Sequence, residues 1–200
     1  MSTGPFISAR SLIDAAHATD PVQREGRPAE LVYADGVERW MLHLDPQAGG
    51  VLRLAARAQH LQRWTLPRSD FPQDRPGYHR WRIEQYRRQG ELACRLCLEG
   101  GLDQADAERV RDLVAKKRLR EPDGQLLEDA ACLVFLESEI GAFVAGHTDY
   151  TVEKYLDILR KTMRKMSPAG REAALALHLP EPVAGLVRTA AASLRSEPAP

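Results

Sequence analysis

Between Leu52 and Arg82 the chain gathers side chains that hydrogen bond, titrate or carry positive charge. A small-residue helical pattern (Leu52, Leu54, Ala55, Ala56, Ala58) runs into Gln59-His60 and then Arg63-Trp64. A proline- and arginine-rich segment follows, with Arg68, Arg75, Tyr78, His79 and Trp81. Guanidinium beside indole and phenol suits a planar or phosphate-bearing ligand, because arginine offers a rigid fork of donors and stacks on aromatic faces. The stretch therefore reads as a polar pocket for an anion, with Gln59, Arg63, Trp64, Arg68 and Arg75 as candidate binding groups and Lys161 as a further cation that would orient a phosphate.

A second group lies on the most apolar segment. Glu128-Asp129 precede Ala130, Ala131 and Cys132, and a carboxylate there must be paired, hydrogen-bonded or metal-bound, because an isolated buried charge is costly. Imidazole plus carboxylate is a reasonable ligand set for a divalent metal that activates water, which makes His60, Asp129 and Glu128 candidate catalytic residues. The competing reading is a buried ion pair, Arg63 or Arg57 with Asp129. His17, near the end of the first helical pattern, either reaches the same pocket or caps its own helix. Cys94-x-x-Cys97 has redox or half-zinc spacing, but no second pair exists and the motif falls mid-helix, so both read as small core residues.

The elements that carry these groups are helical almost throughout. The first helix ends near Asp20-Pro21, and residues 22–29 read as a loop. Leu31 to Leu44 forms a second helix, and about 51–64 a third. Residues 65–77 form an irregular loop, and a long helix spans about 78–98 before Gly100-Gly101. Asp103 caps the next helix. A charged connector at 117–124 leads to a single apolar helix over 126–146, then an amphipathic helix from Thr148 to Met166. Ser167-Pro168 has the signature of a helix start, and a last helix spans about 182–194. The expected fold is all-α, a single compact domain over 1–195 with about eight helices, followed by a flexible tail at 196–200.

Composition narrows the function classes. The 28 basic and 28 acidic residues cancel, which weighs against a general polyanion binder and makes nucleic acid a weak expectation. No run approaches the roughly 18 apolar residues of a membrane span. The first residues lack a secretory pattern, and three cysteines do not make a disulfide framework. A cytoplasmic setting is the expectation. No phosphate-loop, Walker or Gly-x-Ser-x-Gly pattern is present.

Four segments, AARAQHLQRW, PRSDFPQDRPGYHRWR, LEDAACLVFLE and ILRKTMRKMSPAGREAALAL, resemble the uncharacterised family known as domain of unknown function 4202. A more distant resemblance is to the HD superfamily of metal-dependent phosphohydrolases. LAARAQHL is similar to the segment that ends in that superfamily's His-Asp pair, and LEDAACL to the one that holds its last Asp. Asp129 matches that Asp. Gln59-His60 stands where His-Asp is expected, and Tyr33 stands where the first histidine would be.

The resemblance implies an HD-domain-like fold with a rewritten site. It also implies a divalent metal (Mn, Fe, Zn or Mg) held by His17, His60 and Asp129, and hydrolysis of a small nucleotide-like phosphate ester. Two further readings stand beside this one: a regulatory module that binds a nucleotide or other anion without turnover, and an RNA or protein interaction surface on the basic helices.

Overall fold

The computed structural model describes residues 3–147 and 149–195. Among them are ten α-helices and one short β-ribbon, so the fold is all-α. Contacts divide the chain into two compact units, Met1–Gly124 and Gln125–Pro200.

The first unit holds α1 (Thr3–His17), the ribbon β1 (Gln23–Arg24) and β2 (Arg27–Pro28), α2 (Ala29–Leu44), α3 (Gly50–Arg57), α4 (Arg75–Glu99) and α5 (Gln104–Val114). The division falls within α6 (Pro122–Val134). α4 packs along α5, α3 lies on α5, and α1 touches both α3 and α4. Ile13, Val37, Met41, Leu61, Val110 and Leu113 fill the interior. Gly90 sits where α4 passes α5; a Cβ there would meet the Arg111 carbonyl oxygen at 2.8 Å. Aspartates start the long helices: Asp74 accepts from Gly77 N at 2.7 Å, and Asp103 accepts from Asp106 N at 2.8 Å.

The polar segment after α1 is more ordered than its composition suggests. Residues 22–29, which read as a loop, contain the antiparallel ribbon, with Gln23 opposite Pro28 and Arg24 opposite Arg27. Glu25 and Gly26 take φ values of 52° and 77°, the pattern of a tight hairpin turn with both central residues left-handed. The buried Asp20 fastens it, accepting from Val22 N and from Glu30 N, each at 2.9 Å. The second bond supplies an N-terminal acceptor to α2, whose preceding residue, Pro28, makes no side-chain cap.

An ionic network joins α1, α2 and α3. Arg57, buried at the end of α3, donates from Nε to Asp14 Oδ1 at 2.5 Å and from Nη1 to Asp35 Oδ1. Glu38 lies 3.9 Å from the same nitrogen and also binds Arg10 in bidentate fashion at 2.5 and 2.6 Å, with Arg53 at 3.2 Å. Arg57, read from the sequence as one of two possible partners for Asp129, has these carboxylates within its own unit. Burial pushes the Glu38 carboxyl up, but the bonds and charges of Arg10 and Arg53 outweigh it and leave it below the usual carboxylate range. Asp35 is likewise raised by burial and brought below its ordinary value by Arg57 and Arg27.

The second unit holds the remainder of α6, α7 (Ile140–Gly146), α8 (Val152–Arg164), α9 (Pro168–Leu175) and α10 (Val183–Arg195). The segment expected as one helix over 126–146 is interrupted. α6 ends at Val134, a π-helical stretch occupies Phe135–Glu139, and α7 follows. The wider i→i+5 turn accompanies burial of both Leu136 and Ile140 while Glu137 and Ser138 stay exposed. α10 packs on α8 and α9. α8 begins at Val152, capped by Thr151; Thr148, where the sequence placed its start, and the expected tail at 196–200 lie outside the described residues.

Cys94 and Cys97 are buried free thiols. Burial, with smaller contributions from Cys94 and Asp106, pushes the Cys97 thiol up to about 12. They are core residues, as their position in α4 suggested.

Replacing Arg57 with leucine takes from Asp14 and Asp35 their buried partner, leaving them Arg10 and Arg27, and is expected to destabilise the protein by about 3 kcal/mol. That is the low end of the range for breaking a buried pair, because the two carboxylates are partly exposed and keep these second partners. Asp35 and Glu38 have folded pKa values below their unfolded ones. Their contribution is present above about pH 4 and lost as pH falls through the folded values. Urea denaturation from pH 7 to 3 should show this loss in the parent chain and a shallower one in Glu38→Gln.

Candidate functional site

The third helix of the sequence reading extends to Trp64, but the structure ends it at Arg57. His60 and Gln62 both adopt left-handed backbone, with φ of 60° and 51°, a conformation unfavourable for residues with a Cβ and costing on the order of 1–3 kcal/mol each. The conformation is held from α4. Gln85 Nε2 donates to the carbonyl oxygens of Arg63 and Leu66, each at 2.9 Å, and Trp81 Nε1 donates to Leu66 at 2.9 Å. These bonds take up carbonyls that a continued helix would have used internally, so the chain folds into a compact 3₁₀ turn at Arg63–Thr65.

His60 stands at the centre of this turn. Its ring stacks on Tyr33 with centroids 4.0 Å apart and planes within 8°. Nδ1 lies 3.2 Å from Glu30 Oε2, and Arg63 Nη1 lies 3.3 Å from Nε2. A carboxylate only accepts, so the proton sits on Nδ1 and the Nε2 lone pair faces Arg63. Glu30 and Tyr33 are three residues apart on α2 and share one face, which brings both against the imidazole. Burial raises the Glu30 carboxyl, but the bond to His60 and the charges of His60 and Arg63 prevail, so it lies below its ordinary value. Arg63 spreads over the Trp81 ring at 4.8 Å. The His60 and Glu30 side chains keep 24% and 20% of their surface exposed, enough to meet a ligand from solvent.

His17 lies in the same unit, fully buried. Nε2 donates to the Arg57 carbonyl oxygen at 3.0 Å, and Nδ1 has no hydrogen-bond partner among the described residues. Burial pushes its pKa down, so the ring is neutral at pH 7.

The other sequence candidates fall into different roles. Gln59 is buried and donates to Ala55 at 3.0 Å, within its own segment. Arg68 binds the carbonyl oxygens of Phe71, Pro72 and Asp74 and so closes the loop that precedes α4. Trp64 is half-buried, and Arg75 is exposed in the first turn of α4. Lys161, in the second unit, pairs with Asp157 at 2.7 Å on the exposed face of α8. Glu128 lies 3.7 Å from Lys165.

Asp129 has its own task within the second unit. Oδ1 accepts from Ser167 N at 2.8 Å and from Gln125 Nε2 at 3.0 Å, and Oδ2 accepts from Ser167 Oγ at 2.5 Å. Ser167 Oγ in turn accepts from Gly170 N at 3.1 Å. Asp129 thus backs the N-cap of α9. A Cβ on Gly170 would stand 2.7 Å from the Asp129 carboxyl carbon, so only glycine admits this approach.

As arranged, the expected metal ligands carry other hydrogen bonds, with His17 Nδ1 alone left without one among the described residues. Both Asp129 oxygens serve the start of α9, His60 presents Nδ1 to a carboxylate and Nε2 to a guanidinium, and His17 has committed Nε2 to a carbonyl. Among the described residues no group of three or more His, Cys, Asp or Glu side chains is placed to hold a metal ion. Sequence reasoning singled out His60 and Arg63, which the structure brings together, and passed over Glu30, which meets the same imidazole. The signal for Glu30 was its position in the first turn of α2, three residues before Tyr33.

The chain belongs to the family described as Domain of unknown function (DUF4202), which matches residues 8–187. No curated protein and no solved structure matches the chain.

Asp129→Ala should destabilise the protein by about 1–3 kcal/mol, the cost of leaving buried donors unsatisfied, and Ser167→Ala by about 1 kcal/mol. Because the two residues form one cap, a double-mutant cycle in urea should give a coupling of at least about 0.5 kcal/mol. Strictly additive losses would show that Asp129 does not act through the cap.

Proposed function

We propose that this member of the family binds a small phosphate-bearing anion at the His60 turn, without a metal. The observation that carries the reading is the assembly of Glu30, His60 and Arg63 on a strained turn, with Tyr33 stacked beneath the imidazole. Strained left-handed residues concentrate at functional sites, and two occur here within three positions. The nucleotide-like ligand expected from the sequence suits these groups, but Lys161 and Asp129 are not invoked.

In this reading Arg63 donates to phosphate oxygens from its planar fork. His60 takes a proton at Nε2 as the anion arrives, and Nε2–H then donates to a phosphate oxygen. Glu30, ionised at neutral pH, keeps its bond to Nδ1 and stabilises the imidazolium. Tyr33 fixes the ring plane.

A second reading rests on the same pair. A carboxylate that orients an imidazole through Nδ1 makes Nε2 a general base once Arg63, now 3.3 Å from it, turns to the bound anion. The Glu30–His60 dyad is therefore suited to activating a water against a bound ester, which keeps phosphohydrolase activity as a proposal that does not depend on the metal set. The interaction-surface reading draws less support. Arg118 pairs with Glu121 and Asp112, Lys117 with Asp112, Arg160 with Glu153 and Lys161 with Asp157. Much of the basic surface is thus neutralised locally.

Titration calorimetry at low salt with chelator present, using inorganic phosphate and a set of nucleoside monophosphates, tests the proposal. Arg63→Ala is expected to weaken binding by about 10- to 100-fold, the worth of hydrogen bonds to a charged group. Absence of binding, or affinity unchanged in Arg63→Ala and His60→Gln, would overturn it. Release of product in the same chelated samples, abolished in His60→Gln, would support the second reading.

A further inference from the structure

The other side of the same turn opens into a cavity of about 320 Å³, at the lower end of the size of small-ligand pockets. Leu61 and Gln62 line it from the turn, and Arg88, Glu91, Leu92 and Arg95 from the outer face of α4. Its charges are not balanced. Both oxygens of Glu91 are engaged by Arg87 Nη1 at 2.8 and 2.7 Å, and Arg88 Nε is engaged by Glu84 at 2.8 Å. Arg95 is exposed and has no hydrogen-bond or ion-pair partner among the described residues, and the Gln62 side-chain amide has none either. Gln62 is also one of the two left-handed residues. Glycine or asparagine would hold that backbone at lower cost, so a long amide retained there and lining a cavity is a feature that folding alone does not require.

We propose that this cavity binds a small organic anion, a carboxylate or phosphate monoester that carries a short apolar group. The guanidinium of Arg95 and the free nitrogens of Arg88 receive the anionic oxygens. The Gln62 amide donates a further hydrogen bond, and Leu61 and Leu92 cover the apolar part. The site uses none of Glu30, His60 or Arg63 and stands whether or not those residues bind phosphate.

The test is chemical-shift mapping on the full chain labelled at leucine methyls and arginine Nε, titrated with phenyl phosphate, benzoate and inorganic phosphate. Phenyl phosphate or benzoate is expected to shift Leu61, Leu92 and Arg95. Inorganic phosphate, lacking an apolar group, should bind here at least tenfold more weakly. Arg95→Ala, on an exposed position and therefore neutral for folding, should weaken the organic anion by about tenfold or more, and Arg63→Ala should leave it unchanged. No shift at these three residues would overturn the proposal. So would shifts that survive Arg95→Ala but vanish in Arg63→Ala, since the ligand would then belong to the His60 site.

Discussion

The buried guanidinium of Arg57 is the interaction on which the first unit depends. It is the last residue of α3, and its partners are Asp14 on α1 and Asp35 on α2. One cation therefore fixes where three helices meet. Its carbonyl oxygen also receives His17 Nε2, so the end of α1 is tied to the same point. A buried ionic network of this kind gains little in raw stability over a well-packed apolar cluster that replaces all of its members together. It does restrict the arrangement, because only one register of the three helices lets both carboxylates reach Arg57.

That restriction sets up the turn that follows. With the end of α3 held, the chain has five residues, 58–62, in which to reverse before Arg63, and α4 offers Trp81 and Gln85 as donors for the carbonyls of the new path. The left-handed conformations of His60 and Gln62 follow from this pull between two fixed elements. His60 thereby meets α2, where Glu30 and Tyr33 await it, and Gln62 lines a cavity against α4. A regular helix through residue 64 would have placed neither side chain so. The strain in the turn is offset by the ionic network on one side and the donor pair on the other.

The sequence made the helices legible because their apolar spacing, the Asp103 cap and the Ser167-Pro168 start are local signals. Asp74 and Asp103 cap helices as such residues do, and Ser167-Pro168 begins α9 as read. The sequence was silent where tertiary partners decide. Nothing in Leu-Gln-Arg-Trp foretold an early end to α3, since the cause lies on α4 more than fifteen residues away. The π-helical stretch likewise lacks a glycine or proline to mark it. His60 and Arg63 were singled out because imidazole and guanidinium beside aromatics are rare in a core. Glu30 was passed over because an acid in the first turn of a helix is ordinary. Asp129 stood out correctly as a buried carboxylate needing partners, and the partners it has are those of a helix cap. The resemblance to the HD pattern drew attention to this turn, whose residues carry local hydrogen bonds.

The central claim is that His60 is held by Glu30 at Nδ1 and offers Nε2 to an anion. Nitrogen-15 NMR of the histidine rings, in chelated protein titrated with inorganic phosphate near neutral pH, tests it most directly. The account predicts a His60 ring protonated at Nδ1 before phosphate is added, and a change in Nε2 toward the protonated form as phosphate binds, with Nδ1 remaining protonated. A ring protonated at Nε2 from the outset, or an Nε2 signal unmoved by saturating phosphate, would contradict it.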